Sequence, residues 1–399
     1  MRKNIFVITF ILFTLGNVYA QITFSGALDS TVSMNAGAGD APALSAGIEE
    51  FANLRFQARL QNKATVFGAV NLLAAAGDNA ANAALIASSI PDFPFNFSAY
   101  IFGENYIAAI ELERLYFRLR GEYTDFSGGL MRLPFGYGQV WAPTDFLNPR
   151  NPLKPDARLR GILGASFSWF PTDEMKLLFF YSAPRYNAFT SREGNGSNIG
   201  LSFDKHWKKA SIQALYNYET PRGNPPINSR YGIHRFGFSL KADIEIGLYI
   251  DTLYSYNHQE KTKHEGLSFS AGADYSFLDG NLILMAEYLY NGDTSSTALG
   301  YGGNFSNNHY LYTGLTYRFN DYTNMNAVLI SCFDDVSFSA IISVNHDLFQ
   351  GAALTISAQI PFDRDLFNRD GNRGELGPIR PDSNIGSYFN CTARLRLRF

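Results

Sequence analysis

The sequence predicts an all-β protein: a transmembrane antiparallel up-and-down β-barrel of about 16–18 strands. Three observations carry the prediction. Runs of about ten residues alternating between apolar and polar recur from Gln21 to the end of the chain, and a period of two puts one face of a strand in hydrocarbon and the other in water. The connections between runs alternate between short and long, as they do where one barrel end carries tight turns and the other long loops. Ahead of the first run stands a basic, then apolar, then small-residue leader, and no later segment approaches the ~18–20 uninterrupted apolar residues of a helical span. A chain that enters a membrane without such a helix satisfies its backbone groups there only as a closed barrel.

The leader reads MRKNIFVITFILFTLGNVYAQ. Arg2 and Lys3 form its basic start, Ile5 to Leu15 its apolar centre, and Val18-Tyr19-Ala20 a small-residue cleavage site. This assigns residues 1–20 as a secretory signal peptide and residues 21–399 as one barrel domain. With 34 Phe and 23 Tyr against 17% charged residues, the chain is rich in the amphipathic rings that membrane interfaces select. Cys332 and Cys391 fall in separate strands far apart in sequence and read as free thiols. The net charge of −3 is too mild for a nucleic-acid partner, and the arginines sit in strands rather than in a basic run.

Eighteen alternating runs are legible, at 22–34, 51–61, 64–74, 108–120, 123–133, 160–170, 174–183, 197–205, 209–219, 231–242, 246–257, 265–277, 280–291, 308–319, 322–332, 335–345, 351–361 and 387–399. In the second, Leu54, Phe56, Ala58 and Leu60 alternate with Arg55, Gln57, Arg59 and Gln61. The run from Leu267 to Phe277 and the one from Leu354 to Ile360 are equally regular. Short connections fall at Asn62-Lys63, Gly121-Glu122, 171–173, 278–279 and 320–321. Long ones fall at 35–50, 75–107, 134–159, 184–196, 220–230, 258–264, 292–307 and 362–386, and only 333–334 is short where a long one is due.

The last run, YFNCTARLRLRF, places Phe389, Cys391, Ala393, Leu395, Leu397 and Phe399 on one face and Arg394, Arg396 and Arg398 on the other. A terminal amphipathic strand closing on an aromatic residue resembles the C-terminal signal of bacterial outer-membrane β-barrels. The resemblance implies recognition of the Phe399 strand by the barrel-assembly machinery and a place among outer-membrane lipid. The even strand count then sets both termini on the periplasmic side.

Between Arg132 and Arg160 the chain reads RLPFGYGQVWAPTDFLNPRNPLKPDARLR, and its five prolines exclude regular strand or helix. The stretch Trp141-Ala142-Pro143-Thr144-Asp145-Phe146-Leu147-Asn148-Pro149 resembles the W-x-P-T-D-x-x-N-P loop of a group of porin-like bacterial outer-membrane proteins. That likeness implies a loop folded into the channel. Asp145, Arg150, Lys154, Asp156 and Arg158 are its candidate constriction residues; a proline-stiffened outer loop with solvated charges is the alternative.

The Ala-rich stretch Leu72 to Ser89 favours a short helix, either plugging the mouth or packing on neighbouring loops. Asp363 and Asp365 have the spacing of the first two ligands of a calcium loop, but Phe367 and Gly374 occupy ligand positions and four arginines lie nearby. No cofactor or metal is expected.

Parity places Arg55, Arg59, Arg114, Arg118, Arg120, Arg160, Arg394 and Arg396 on the polar face, as pore-lining residues, with Asp204, Asp251, Asp274 and Glu287. Glu111 and Glu113 share parity with Leu115, Phe117 and Leu119, which predicts a position at the outer rim. Because the first and last strands pair in a closed barrel, the arginines form a basic arc on one wall. Rings of basic side chains favour anions; a ladder salt-bridged to carboxylates is the other reading.

None of the six histidines pairs with a nucleophile elbow or a metal-helix spacing, so an enzyme is not expected. The expected function is passive or weakly selective diffusion of small hydrophilic solutes, with a preference for anions. The alternative is a surface protein whose long loops bind a partner over a closed lumen. Porins are often trimers, and the resemblance leaves a homotrimer open.

Overall fold

In a computed structural model the chain forms one closed antiparallel sheet. The structure describes residues 20–37, 44–61, 63–77, 98–103, 105–150, 152–153, 161–184, 196–221, 232–257, 266–292, 305, 307–363, 374–376 and 387–399. The strands are β1 (Ala20–Gly37), β2 (Leu44–Leu60), β3 (Ala64–Gly77), β4 (Ser98–Phe102), β5 (Tyr106–Arg120), β6 (Thr124–Met131), β7 (Ile162–Thr172), β8 (Met175–Ser182), β9 (Asn198–His206), β10 (Ala210–Glu219), β11 (Ile233–Asp243), β12 (Gly247–Asn257), β13 (Leu267–Phe277), β14 (Leu282–Asn291), β15 (His309–Asn320), β16 (Thr323–Cys332), β17 (Ser337–Phe349), β18 (Ala352–Asp363) and β19 (Ser387–Arg398).

Each alternating run of the sequence is one barrel strand, and β19 pairs back onto β1 to close the ring, Arg398 opposite Ala27 and Phe389 opposite Ala36. β4 is not one of them. It pairs only with Ile107–Glu111 of β5, while β6 pairs with Leu115–Arg120 of the same strand. β4 takes the edge that β6 leaves free by ending at Met131 and turning inward. Without β4, eighteen of the nineteen strands make the barrel, the upper end of the expected range.

The sheet is apolar outside and polar inside. Phe24, Leu54, Phe238, Ile250, Ile342 and Ile356 point outward and are 42% to 80% exposed. Their inward-facing neighbours Asn53, Ser239 and Asp251 are buried. Backbone groups are satisfied strand to strand around the whole ring, which is what a hydrocarbon surround requires. Among the described residues no helix is long and apolar enough to cross a membrane.

One connection and one pair of strand side chains differ from the sequence expectation. The stretch 35–50 is mostly strand, because β1 and β2 continue to Gly37 and from Leu44 and pair in register up to Ala36 opposite Leu44. Glu111 and Glu113 do not stand at the outer rim. Opposite them β3 advances one residue, from Ala69 to Val70, while β5 passes from Arg114 to Leu112. Glu113 is therefore the extra residue of a β-bulge, and a bulge reverses facing parity. Glu111 above it and Arg114 below it both turn to the lumen, with Leu115, Phe117 and Leu119 outside.

The turn after β16 is tight, as its sequence requires, with Val336 at φ 55°. The leader, most of the Ala-rich stretch and most of the segment after Asp363 lie outside the described residues.

Candidate functional site: a strap across the lumen

After Met131 the chain leaves the wall and crosses the barrel interior. Pro134 and Pro143 bracket a stretch whose prolines contribute no N–H, while every residue from Phe135 to Ala142 carries a donor that must be satisfied. Six consecutive donors, from Gly136 to Trp141, find partners on three strands of the opposite wall. Gly136 N donates to Gln213 Oε1 of β10 at 2.8 Å. Tyr137 N donates to Asp251 of β12 at 3.0 Å, and Gly138 N donates to the same carboxylate. Gln139, Val140 and Trp141 donate to Glu287 of β14 at 3.1, 2.9 and 2.9 Å. The Trp141 carbonyl then accepts from Ser270 Oγ of β13 at 3.0 Å.

The approach is close enough to need glycine. A Cβ on Gly138 would fall 1.8 Å from the Trp141 carbonyl oxygen, and Gly136 has φ +81° with Thr144 and Asp251 packed against it. A tight turn follows, Asp145 N donating to the Ala142 carbonyl at 2.8 Å. At the base of the excursion Leu133 N donates to Asn148 Oδ1 at 2.9 Å, drawing the two limbs together.

Apolar contacts hold the strap at both ends. Leu133, Phe135 and Leu147 pack with Met131, Ile162, Leu178, Phe180 and Leu215 near its origin. Val140 and Trp141 pack with Leu289, Tyr310 and Ile330 at the far end, under Phe305 and Leu376 from two other connections. Burial of side chains of this size contributes about 1.5–3 kcal/mol each. The lumen face of β9 to β14 is thereby covered: Ser202, Asn217, Ser239 and Ser270 are 0% exposed. Tyr310, Ile330, Ser337 and Ser339 of β15–β17 are buried at the strap's far end, whereas Thr316, Asn324, Asn326, Asn345 and Thr355 on β15–β18 and Arg55 and Arg59 on β2 keep some exposure on the lumen face.

The sequence-derived arginines stand on that accessible side. Along β1, strand register sets Arg394 opposite Thr31, Arg396 opposite Asp29, Arg55 opposite Ser25 and Arg59 opposite Gln21. Through β3, Arg55 shares a row with Arg114 across Ala69, and Arg59 with Arg118 across Thr65. Several are neutralised. Arg396 grips Asp29 with two bonds of 2.7 Å. Arg118 pairs with Asp125 at 2.6 Å, and Arg120 reaches the same carboxylate at 4.0 Å. Arg114 and Arg132 share Glu113 at 3.2 and 2.9 Å. Arg55 donates to Asn53 and, like Arg59, is exposed to the lumen.

In the strap, Asp145 is 1% exposed, and burial pushes its carboxyl up to about 8. Arg150 donates to the Gln139 carbonyl at 3.0 Å, so it braces the strap from within. Lys154, Asp156, Arg158 and Arg160 lie outside the described residues. Asp251 and Glu287 were readable as inward-facing, but their role as anchors was not. The signal for it is the row of N–H donors between Pro134 and Pro143, which demands acceptors that the segment itself lacks.

No protein-family model matches this sequence, and no curated protein sequence matches it. Solved structures do. OccAB4 of Acinetobacter baumannii superposes with a TM-score of 0.56 at 10% identity, covering 95% of this chain and 98% of that one. OccAB1 of the same organism gives 0.56 at 8% identity, covering 95% and 96%. OccK8 (OprE) of Pseudomonas aeruginosa gives 0.53 at 12% identity, covering 95% and 98%. At these identities the likeness is one of fold: this chain shares the closed antiparallel barrel architecture of these proteins.

Proposed function

We propose that the protein is a bacterial outer-membrane channel for passive, weakly selective diffusion of small hydrophilic solutes, with a preference for anions. The observation that supports it is the strap. It covers the lumen face of β9–β14 and leaves solute to pass along the wall that carries Arg55, Arg59, Arg394 and Arg396. Barrels of this strand number are wide enough to hold an aqueous path beside such a constriction. Basic side chains in a narrow lumen raise the local concentration of anions.

Ion pairs set the strength of the preference. Arg396 faces a carboxylate of its own, while Arg114 with Arg132 and Arg118 with Arg120 each share one, so the excess positive field comes from these shared groups together with Arg55 and Arg59. The reading involves no bond-making chemistry and no cofactor. Residues 1–20 act as an export signal, the Phe399 strand is the element presented to the assembly machinery, and a homotrimer is the assembly in keeping with a porin. Phe399 suits that role because it terminates the seam: its N–H and carbonyl both bond to Gly26, at 3.1 and 2.8 Å.

The test is conductance of the purified, folded barrel in a planar bilayer under a salt gradient. Stable openings with a reversal potential on the anion side are expected. Cation selectivity would refute the charge argument and keep the channel. A silent bilayer containing demonstrably folded protein would refute the channel and turn attention to the outer loops as a binding surface.

A further inference from the structure

The accessible wall carries a second feature besides arginine. On β15 to β18 a row of uncharged polar side chains runs from strand to strand in unbroken hydrogen-bond contact. Thr316 donates to Asn326 Oδ1 at 2.8 Å. Asn326 donates to Asn324 Oδ1 at 3.4 Å, and Asn345 donates to the same oxygen at 3.0 Å. Thr355 donates to Asn345 Oδ1 at 2.7 Å. All five residues are half-buried and face inward, as Met325 and Val344 between them face out.

Such a row has capacity left over. A primary amide has two N–H donors and two lone pairs, and a hydroxyl has one donor and two lone pairs. In these contacts Asn326 and Asn345 each use one donor and Asn324 uses none. Donors and acceptors therefore both remain for a solute. Arg318 and Arg394 border the row, opposite Asn324 and Thr355 in register, but no charge lies within it.

An aromatic surface stands beside the row. Tyr312 faces inward on β15, and its ring lies down along the wall over Gly314, where an added Cβ would sit 2.8 Å from Cε1. Trp141 of the strap meets the Tyr312 ring edge to face at 6.3 Å and holds it there. Gly314 thus leaves the ring room to lie between the strap and Thr316. An apolar ring face next to amides and hydroxyls that both donate and accept matches one solute chemistry well. It suits a ring with a C–H face and a rim of hydroxyl groups.

We propose that Thr316, Asn324, Asn326, Asn345 and Thr355, with Tyr312, form a subsite for an uncharged polyhydroxylated solute of monosaccharide size. The inference rests on the channel reading and gives it a substrate class: sugars pass by transient binding to the amide row, beside the ions drawn by the arginines.

The test uses the full chain purified from membranes and two readouts. Saturation-transfer NMR with methyl glucoside reports binding whether or not the protein conducts. Glucose titration of the potassium chloride current in a planar bilayer reports it in the lumen. Expected are saturation transfer to the sugar ring protons and a saturable partial block. The N326A/N345A pair should weaken both roughly tenfold, the size of one to two lost hydrogen bonds, with sugar-free conductance retained. Y312L, which leaves the row intact, should weaken binding as well. Absence of saturation transfer to the folded parent, or equal transfer to the N326A/N345A and Y312L variants, would overturn the subsite. Transfer that follows these variants in a barrel that never conducts would overturn the channel and keep the subsite.

Discussion

The carboxylate of Glu287 accepts the backbone N–H of Trp141 at 2.9 Å, across 146 residues of sequence. Two more N–H groups of the strap, from Gln139 and Val140, meet the same carboxylate. An acceptor on the far wall therefore helps set where the strap lies across the lumen. Charge-assisted bonds of this kind are stronger than neutral ones, and an unmet buried N–H costs about 1–3 kcal/mol.

Glu287→Ala and Asp251→Ala should release the strap without opening the barrel. Single-channel conductance is expected to rise in each variant, and more in the pair. Resistance of the barrel to heat in detergent should stay near that of the parent. Unchanged conductance in the pair would show that the apolar contacts of Trp141 and Leu147 hold the strap unaided.

Asp145 makes the seat of the strap depend on pH. Its buried carboxyl is raised from 3.8 to about 8, so the folded strap binds a proton that the released strap gives up across that window. The seat is firmest below the ordinary carboxyl range and weakens as pH rises toward about 8. Amide exchange in residues 136–148 should accelerate between pH 5 and about 8 beyond the intrinsic chemical rate. Asp145→Asn should remove the excess.

The Asp29–Arg396 pair tests the charge reading at the barrel seam. Asp29→Asn removes a carboxylate that accepts two bonds of 2.7 Å and leaves Arg396 cationic in the lumen. The reversal potential should move toward anions, and seam stability should fall by about 1–3 kcal/mol. A shift toward cations would contradict the proposed role of the wall.

Glu113 occupies the bulge that turns β5. It accepts from Asn53 at 2.8 Å and pairs with Arg114 and Arg132. Glu113→Leu should cost roughly 3–5 kcal/mol, because it leaves partly buried guanidinium groups without their carboxylate. Glu113→Gln, which keeps an acceptor, should lose less. Denaturant midpoints of the two variants would rank them.

Ile342 lies mid-strand on the outer face of β17. Ile342→Arg should destabilise the membrane-inserted barrel by about 2–4 kcal/mol. The same change at Ser343, its lumen-facing neighbour, should be tolerated and shift ion selectivity toward anions.

Strand order, strand number within two and the facing of most strand side chains were legible in the chain itself, because each rests on a local rule; so was the departure from the wall after β6, whereas its inward direction came only from the resemblance, with an outer loop as the alternative. Alternation along Leu54–Gln61 or Leu267–Phe277 assigns inside and outside without reference to any other segment, since a strand has only two faces. The five prolines between Arg132 and Arg160 exclude a strand by their missing donors and fixed φ. Tertiary structure decided the rest. The broken parity at Glu111 and Glu113 is visible in the chain, but that a bulge and not a rim position accounts for it follows only from the pairing with β3, where Ala69 and Val70 meet β5 out of step. Glu287 and Asp251 could be placed on the polar face, but which donors they serve depends on where a loop more than 100 residues earlier comes to rest. The amide row likewise needs the register of β15–β18, because its members are near in space only after the strands align. Facing is encoded residue by residue; partnership across a lumen is a property of the closed ring.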